Sequence, residues 1–504
     1  MITRTLDRQR WEEIPGGAVL QEDGIIVEVG AYDDLSRRFP DLAVLGSGKE
    51  IMLPGFVNGH HHVGLTPVQL GAPDLPLEQW FLPRMVARQV DPYLDTLYSA
   101  FEMIASGVTT VQHVNGWIPG TFAEVKAKCD AVLQAYTDIG MRVSFCYMVR
   151  DQNNLSYQSN DAFIASLPEE LRAPMMASMA RTKLLLEGSM DLFKTLFADY
   201  RSRRRIKIQL APANLHWCSD KALETLAQAS RDYDVPLHMH LVETPYQKEY
   251  ARRRAGGGTA FEYLERFGLP GPNLTLGHGV WLNARDIDRV AETGTCVCHN
   301  CSSNFRLRSG IAPLNQFEAK GINTAIGIDE AGINDDRDML QEMRMVLRAH
   351  RTPGHNAEDV PTMAQVLRMA TVGGARTTPY GDTIGTIEPG RAADLSLIDW
   401  GEIAYPYLDE ETPLLDAVIQ RAKTTAVRLV MCDGDVIYAN GVFTRVDKDA
   451  ALKALHDQLA HALSPDDVER RKLGRALMPH IKKFYQNYLP AAGNEPVYRQ
   501  NERH

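Results

Sequence analysis

Between residues 57 and 384 the chain alternates short apolar runs with longer amphipathic stretches, and this alternation limits its fold more than any other feature. The runs are GVTTVQHV (107–114), MRVSFCYMV (141–149), IKIQLAP (206–212), PLHMHLVE (236–243), LTLGHGV (274–280), TCVCHN (295–300) and INTAIGID (322–329). With the strand leading into His60 they make eight candidate strands. The stretches between them are long enough for helices. In KALETLAQASRDYD (221–234) apolar residues recur at helical spacing. Strands alternating with helices argue for parallel βα units, and eight units argue for a closed (β/α)8, TIM-like barrel. A length of 504 residues alone would suggest about three domains, but such a barrel takes about 250 residues or more as one.

The flanks have a different texture. Residues 1–53 read as short strands and turns. Strand-and-turn character returns in GTIEPGRAADLSLID (385–399) and VMCDGDVIYANGVF (430–443), where Pro-Gly, Asp-Gly and Asn-Gly punctuate apolar runs. The expectation is a small β-sandwich built from both chain ends, 1–53 and 385–447, around a catalytic barrel at 54–384. Residues 448–504 form a helical, charged extension. It ends in the polar stretch AAGNEPVYRQNERH, a tail or an arm on a partner subunit.

The formal charge is −10, with no basic stripe, which argues against nucleic acid as a partner. RSRRR at 201–205 reads as a solvated helix end. The N-terminus lacks the apolar core of a signal peptide, and no apolar run reaches the ~20 residues of a membrane helix. Seven cysteines, an odd number in a large chain, fit reduced thiols better than a disulfide framework. The expectation is a soluble, cytoplasmic protein with no membrane partner.

The chemistry gathers at the strand ends. In PGFVNGHHH (54–62), His60 and His62 are two apart and share one side of a strand, while His61 faces away. An HxH pair alone is weak evidence for a metal. Further along come His240 and Glu243 in PLHMHLVET, His278 in LGHGV and Asp329 in AIGID. In a parallel barrel, strand ends converge on one face. Four histidines, a glutamate and an aspartate converging there read as a site for a divalent transition metal. His238 lies deeper on the strand of His240 and reads as a hydrogen-bonded core residue.

These residues resemble the signatures of the amidohydrolase superfamily. PGFVNGHHH is similar to its PGxxNxHxH motif. SGVTTV (106–111), the HxxE of His240 and Glu243, the LxH of His278, SSN (302–304) with SGIAPL (309–314), Asp329 followed by NDD, MATVGGA (369–375) and IGTIEPGRAADL (384–395) follow in family order. The likeness runs from about residue 17 to about 443, and the chain is similar to the triazine hydrolase and S-adenosylhomocysteine deaminase branch. It implies one Zn2+, or Fe2+, on His60, His62, His240 and Asp329, and the imidazole–carboxylate donor set also accepts Mn2+. It implies His278 and Glu243 as catalytic partners, and a homodimer or larger homo-oligomer.

Residue types then suggest a reaction. A bound metal lowers the pKa of water from about 15.7 towards about 7. Asp329 can accept the proton, and His278 can orient the nucleophile. Glu243 can protonate a substrate ring nitrogen and later the leaving group. The leading reading is an aminohydrolase acting on a planar nitrogen heterocycle. Hydrolysis of a linear or cyclic amide, or displacement of another leaving group such as chloride, is the alternative. A non-catalytic scaffold is the remote one.

Departures from the family pattern bear on substrate. Ala213 stands where adenosine-type deaminases carry a histidine, and His216 nearby is a possible substitute. Glu330 follows Asp329 where a small residue is usual, either binding an amino-rich substrate or pairing with an arginine. Trp80, His113 and Asn304 are further candidate substrate contacts. CVCHNC (296–301) suggests a thiolate cluster, but cysteines alternating along a buried strand fit packing better. Lys207 lies too far from its strand end to suit a two-metal site.

Overall fold

The computed structural model describes residues 1–5, 10–62, 64–116, 118–180, 184–356 and 359–490. The 491–504 stretch, read above as a tail or arm, lies outside the described residues.

Eight parallel strands make the barrel: β1 (Phe56–His61), β2 (Val108–Asn115), β3 (Arg142–Val149), β4 (Ile206–Ile208, resumed at Ala211–Pro212), β5 (Leu237–Leu241), β6 (Leu274–His278), β7 (Cys296–His299) and β8 (Thr324–Ile326). β1 to β4 pair as one sheet and β5 to β8 as another. Parallel bridges Leu210–Leu237 and His61–Asp329 join the two into a closed ring. The second junction is specific. Asp329 N–H donates to the His60 carbonyl at 2.8 Å, and Ile328 N–H donates to Asn58 Oδ1 at 3.0 Å. Gly327 is required there, because a Cβ would lie 2.5 Å from that of His60.

Helices follow the strands as the spacing predicts. The 221–234 stretch forms the helix Asp220–Tyr233, capped by the Ser219 hydroxyl and ended by Asp234 at φ 50°. Four others concern the site: α1 (Leu77–Met85), α2 (Cys301–Arg306), α3 (Met339–Ala349) and α5 (Pro465–Tyr485), with α4 (Lys448–Ala460) preceding α5.

The chain ends meet as expected. A seven-stranded sheet runs in the order Val442–Phe443, Asp435–Ala439, Val427–Cys432, Leu395–Asp399, Glu50–Pro54, Ile2–Thr5, Trp11–Ile14. Gly17–Glu22 and Ile25–Ala31 add an antiparallel hairpin. This β-rich unit sits against the N-terminal ends of the strands, held there by the buried pair of Arg142 with Asp394.

The C-terminal extension returns to the opposite end of the barrel. Ser464 and Asp467 close a capping box at the start of α5. Leu477, Ile481 and Tyr485 of α5 then pack with Leu82 of α1 and with Tyr157, Phe163 and Met175 in one apolar cluster. Each such buried side chain contributes about 1.5–3 kcal/mol. Among the described residues, no helix is long and apolar enough to cross a membrane.

Candidate active site

The C-terminal strand ends bring His60, His62, His240 and Asp329 together, all buried. His62 Nε2 lies 3.0 Å from His60 Nε2, 3.1 Å from His240 Nε2 and 3.2 Å from Asp329 Oδ1. His60 Nε2 is 3.6 Å from the same carboxylate oxygen. The opposite ring nitrogens are engaged elsewhere. His62 Nδ1 is 2.6 Å from the Val114 carbonyl and His240 Nδ1 is 2.8 Å from the Ala213 carbonyl. A carbonyl only accepts, so those nitrogens carry the protons. The Nε2 lone pairs of His62 and His240 therefore face each other. His60 Nδ1 meets His238 Nε2 at 2.7 Å, so His238 supports a mouth residue from below. His61 turns outward to Ser99.

Lone pairs and a carboxylate at such spacing repel unless a cation or proton lies among them. Burial and the neighbouring imidazoles hold His60 and His240 well below the usual histidine range, so both are neutral at physiological pH. Burial disfavours charge on His62 as well, but Asp329 offsets it and raises its pKa. Burial likewise opposes the charge of Asp329, and His62, His278 and Ser303 more than offset this and lower its pKa. Three imidazoles with a carboxylate suit Zn2+, Fe2+ or Mn2+. The residues present fit the metal.

Glu243 and His278 flank this group. His278 Nε2 is 3.7 Å from Glu243 Oε2 and 3.7 Å from Asp329 Oδ2. Its Nδ1 lies 2.9 Å from Asn304 Oδ1 and its Nε2 is 3.2 Å from Asn300 Nδ2, an arrangement that fixes the Nδ1–H tautomer. Burial, more than the charge of Asp329, raises the pKa of Glu243, while His278 and Ser309 pull it down. The Ser309 hydroxyl donates to Glu243 at 3.1 Å, and that of Ser303 to Asp329 at 2.6 Å. Val242, His278 and Asp329 have φ of 42°, 71° and 63°. Left-handed backbone at non-glycine residues is strained and clusters at functional sites.

Above the group opens a cavity of about 1070 Å³. Its base is His62, His240, Glu243, His278 and Asp329, its walls include Trp80, Phe81 and Trp217, and Arg470, Leu473 and Leu477 of α5 reach its rim. Arg150 stacks over Trp217, its guanidinium 3.6 Å from the ring centre.

The candidate substrate contacts separate. Trp80 is buried on α1 and lines the cavity, packed with Leu77 and Leu307. Glu330 also lines it, its Oε2 3.4 Å from Arg84 Nε. Asn304 holds His278 rather than facing the cavity. His113 borders the cavity, but its ring turns to the helix layer, where Nδ1 is 2.9 Å from the Tyr136 hydroxyl. Burial and His62 lower its pKa to about 3. His216 stacks between Tyr157 and Trp217 in a side cavity, away from the group. Lys207 donates to the Arg201 carbonyl at 3.3 Å near solvent.

Sequence reasoning missed Arg150 and Glu78. Glu78 of α1 is buried and accepts from the hydroxyls of Tyr157, at 2.9 Å, and Thr244, at 2.5 Å. Neither sits in a recognisable motif. Ser303 and Ser309 fall within the SSN and SGIAPL runs, which carried that signal.

The chain is similar to known proteins over most of its length. The chain matches the Amidohydrolase family over residues 51–437, and residues 17–41 match an imidazolonepropionase-like composite domain of bacteria. It is 31% identical to 8-oxoguanine deaminase of Pseudomonas aeruginosa over 457 residues, covering 89% of this chain and 95% of that protein. It is 27% identical to 5-methylthioadenosine/S-adenosylhomocysteine deaminase of Thermodesulfovibrio yellowstonii, covering 87% and 92%. The fold superposes on atrazine chlorohydrolase from Arthrobacter aurescens, complexed with zinc, with a TM-score of 0.77 at 23% identity, covering 91% and 99%. The chain belongs to the amidohydrolase family.

Proposed function

We propose that this protein hydrolytically removes an amino group, as ammonia or an amine, from a planar nitrogen heterocycle. One observation carries the reading. A buried carboxyl with a raised pKa, Glu243, stands beside His278 and Asp329 at the base of a partly apolar cavity large enough for a substituted ring. The relatives that act as deaminases support it.

His60, His62, His240 and Asp329 would hold one divalent metal, proposed to be Zn2+. When bound, the metal supplies Lewis acidity that brings the pKa of water from about 15.7 towards about 7. Asp329 accepts a proton from the attacking water. His278, held by Asn304 and Asn300, orients that water with its ring. Glu243 donates its proton to a ring nitrogen, which makes the adjacent carbon electrophilic. Recharged by the proton that Asp329 took from the water, Glu243 passes it to the departing amine, and the proton of the new hydroxyl restores Glu243 as the carbonyl forms. Trp80 and Trp217 offer flat apolar faces to the ring, and Glu330 and Arg150 offer polar contacts to its substituents. We further propose that the barrel of residues 54–384 is the catalytic unit, between β-sandwich parts 1–53 and 385–447 and the extension 448–504. The protein is proposed to work in the cytoplasm as a homodimer or larger.

The test is ammonia release by zinc-loaded protein over aminated pyrimidines, purines, pterins and triazines. Turnover of at least one is expected. Release of chloride from a halogenated ring, or opening of a cyclic amide, without any ammonia would favour the alternative hydrolysis instead.

A further inference from the structure

The CVCHNC run divides in three dimensions. Cys298 lies on the barrel interior, beside Gly59, and Cys296 accepts from Asn323 Nδ2 at 3.4 Å. Both pack. His299 and Cys301 instead meet His350, the residue that ends α3. The potential ligand atoms of all three lie within 4.8 Å of one another, and all three residues are at most 3% exposed. His299 Nε2 and His350 Nε2 are 2.8 Å apart, with their rings near perpendicular at 65°. His299 Nδ1 is buried without a hydrogen-bond partner. So is Oδ1 of Asn315, whose amide donates to the His350 carbonyl at 3.1 Å.

Without an ion, this arrangement satisfies one N–H···N contact and assigns the Cys301 thiol no polar role. With an ion, all three side chains have a purpose. Burial keeps both imidazoles uncharged. It lowers His350 to about 4 and puts His299 well below its ordinary range. Neutral imidazole is the ligating form. Burial also holds the Cys301 thiol well above its usual range. Coordination deprotonates a thiol outright, releasing the proton to solvent. Two imidazoles and a thiolate are the donor set of Zn2+ and Co2+ rather than of Mg2+ or Ca2+.

We propose that His299, Cys301 and His350 form a second, structural site for a divalent transition ion, distinct from the group at the barrel mouth. Cys301 opens α2. The same helix carries Ser303, which donates to Asp329, and Asn304, which holds His278. An ion at Cys301 therefore braces the segment that positions two of the mouth residues.

The full-length protein grown in metal-depleted medium with Co2+ tests this, by metal content per chain and near-ultraviolet absorption. Two ions per chain and a thiolate-to-cobalt charge-transfer band are expected. Cys301→Ser and His350→Gln should each lose the band and one ion. The double variant His60→Ala/His62→Ala should keep the band. Wild-type protein with a single ion and no thiolate band overturns the proposal, and that result stands whether or not any variant folds.

Discussion

The two ends of the barrel both bury charged and polar groups, and they treat them differently. At the floor Arg142, 3% exposed, donates to Asp394 at 2.9 and 3.0 Å and to Asp433 at 3.3 Å. Its remaining reach goes to the Arg204 carbonyl, and Asp433 N–H donates to Asp394 at 2.7 Å. Every charge there has an opposite beside it. At the mouth, imidazole nitrogens face one another and a carboxylate across 3.0–3.6 Å, with their outer nitrogens already committed. The floor is electrostatically complete, whereas the mouth needs a cation or a proton among its acceptors. Burial alone therefore does not mark a site. What marks it is a set of acceptors aimed at one point, on strained backbone, beneath a cavity.

The largest effect expected at the mouth is chemical. Glu243→Gln should lower turnover by about 10²–10⁴-fold, the usual range for a general acid. It should leave metal content unchanged. Steady-state kinetics with metal analysis checks this, and near-normal turnover would remove Glu243 from the reaction. At the floor the corresponding change should be purely structural. Arg142→Met strands Asp394, and breaking a buried pair costs roughly 3–5 kcal/mol. Urea unfolding should show that loss while metal content stays at the wild-type level. A loss of metal as well would mean that the two ends are coupled.

How much of this difference was legible beforehand depended on the local code. The strands and the residues at their ends were readable because HxH places both rings on one side and parallel barrels converge at one face. The β-rich unit was readable from its turn dipeptides. His113 was not, because β2 is buried on both faces and mixes apolar and polar residues on each, with no alternation to say that Val114 faces in and His113 out. Asn304 sits in a recognisable SSN run, yet only the three-dimensional approach of α2 to His278 shows what it holds. The docking of α5 on α1 joins segments nearly 400 residues apart, and an amphipathic helix does not name its partner.

Smaller effects sharpen the comparison. Ser303→Ala removes the hydroxyl that supports Asp329, and losing such an outer partner typically costs about 10–100-fold in metal affinity or activity. Competition with a chelator measures it, and an unchanged affinity would make the contact incidental. Glu78 gives the smallest effect. Burial raises it from an ordinary 4.5 to about 7. The folded state then holds this proton more tightly than the unfolded chain. Its stabilising contribution is complete below pH 4.5 and is lost as pH rises through 7. Glu78→Gln abolishes that loss, so its Tm relative to wild type should climb between those two pH values. A constant Tm difference across the window would show that Glu78 does not titrate there.

The most direct measurement compares metal bound by the purified wild-type chain and by His60→Ala/His62→Ala, both shown to be folded by circular dichroism. The wild type should hold one more transition-metal ion per chain than the double variant. Equal metal content in the two proteins would mean that the imidazoles at the barrel mouth do not gather around a cation, and the reading of this site would fall.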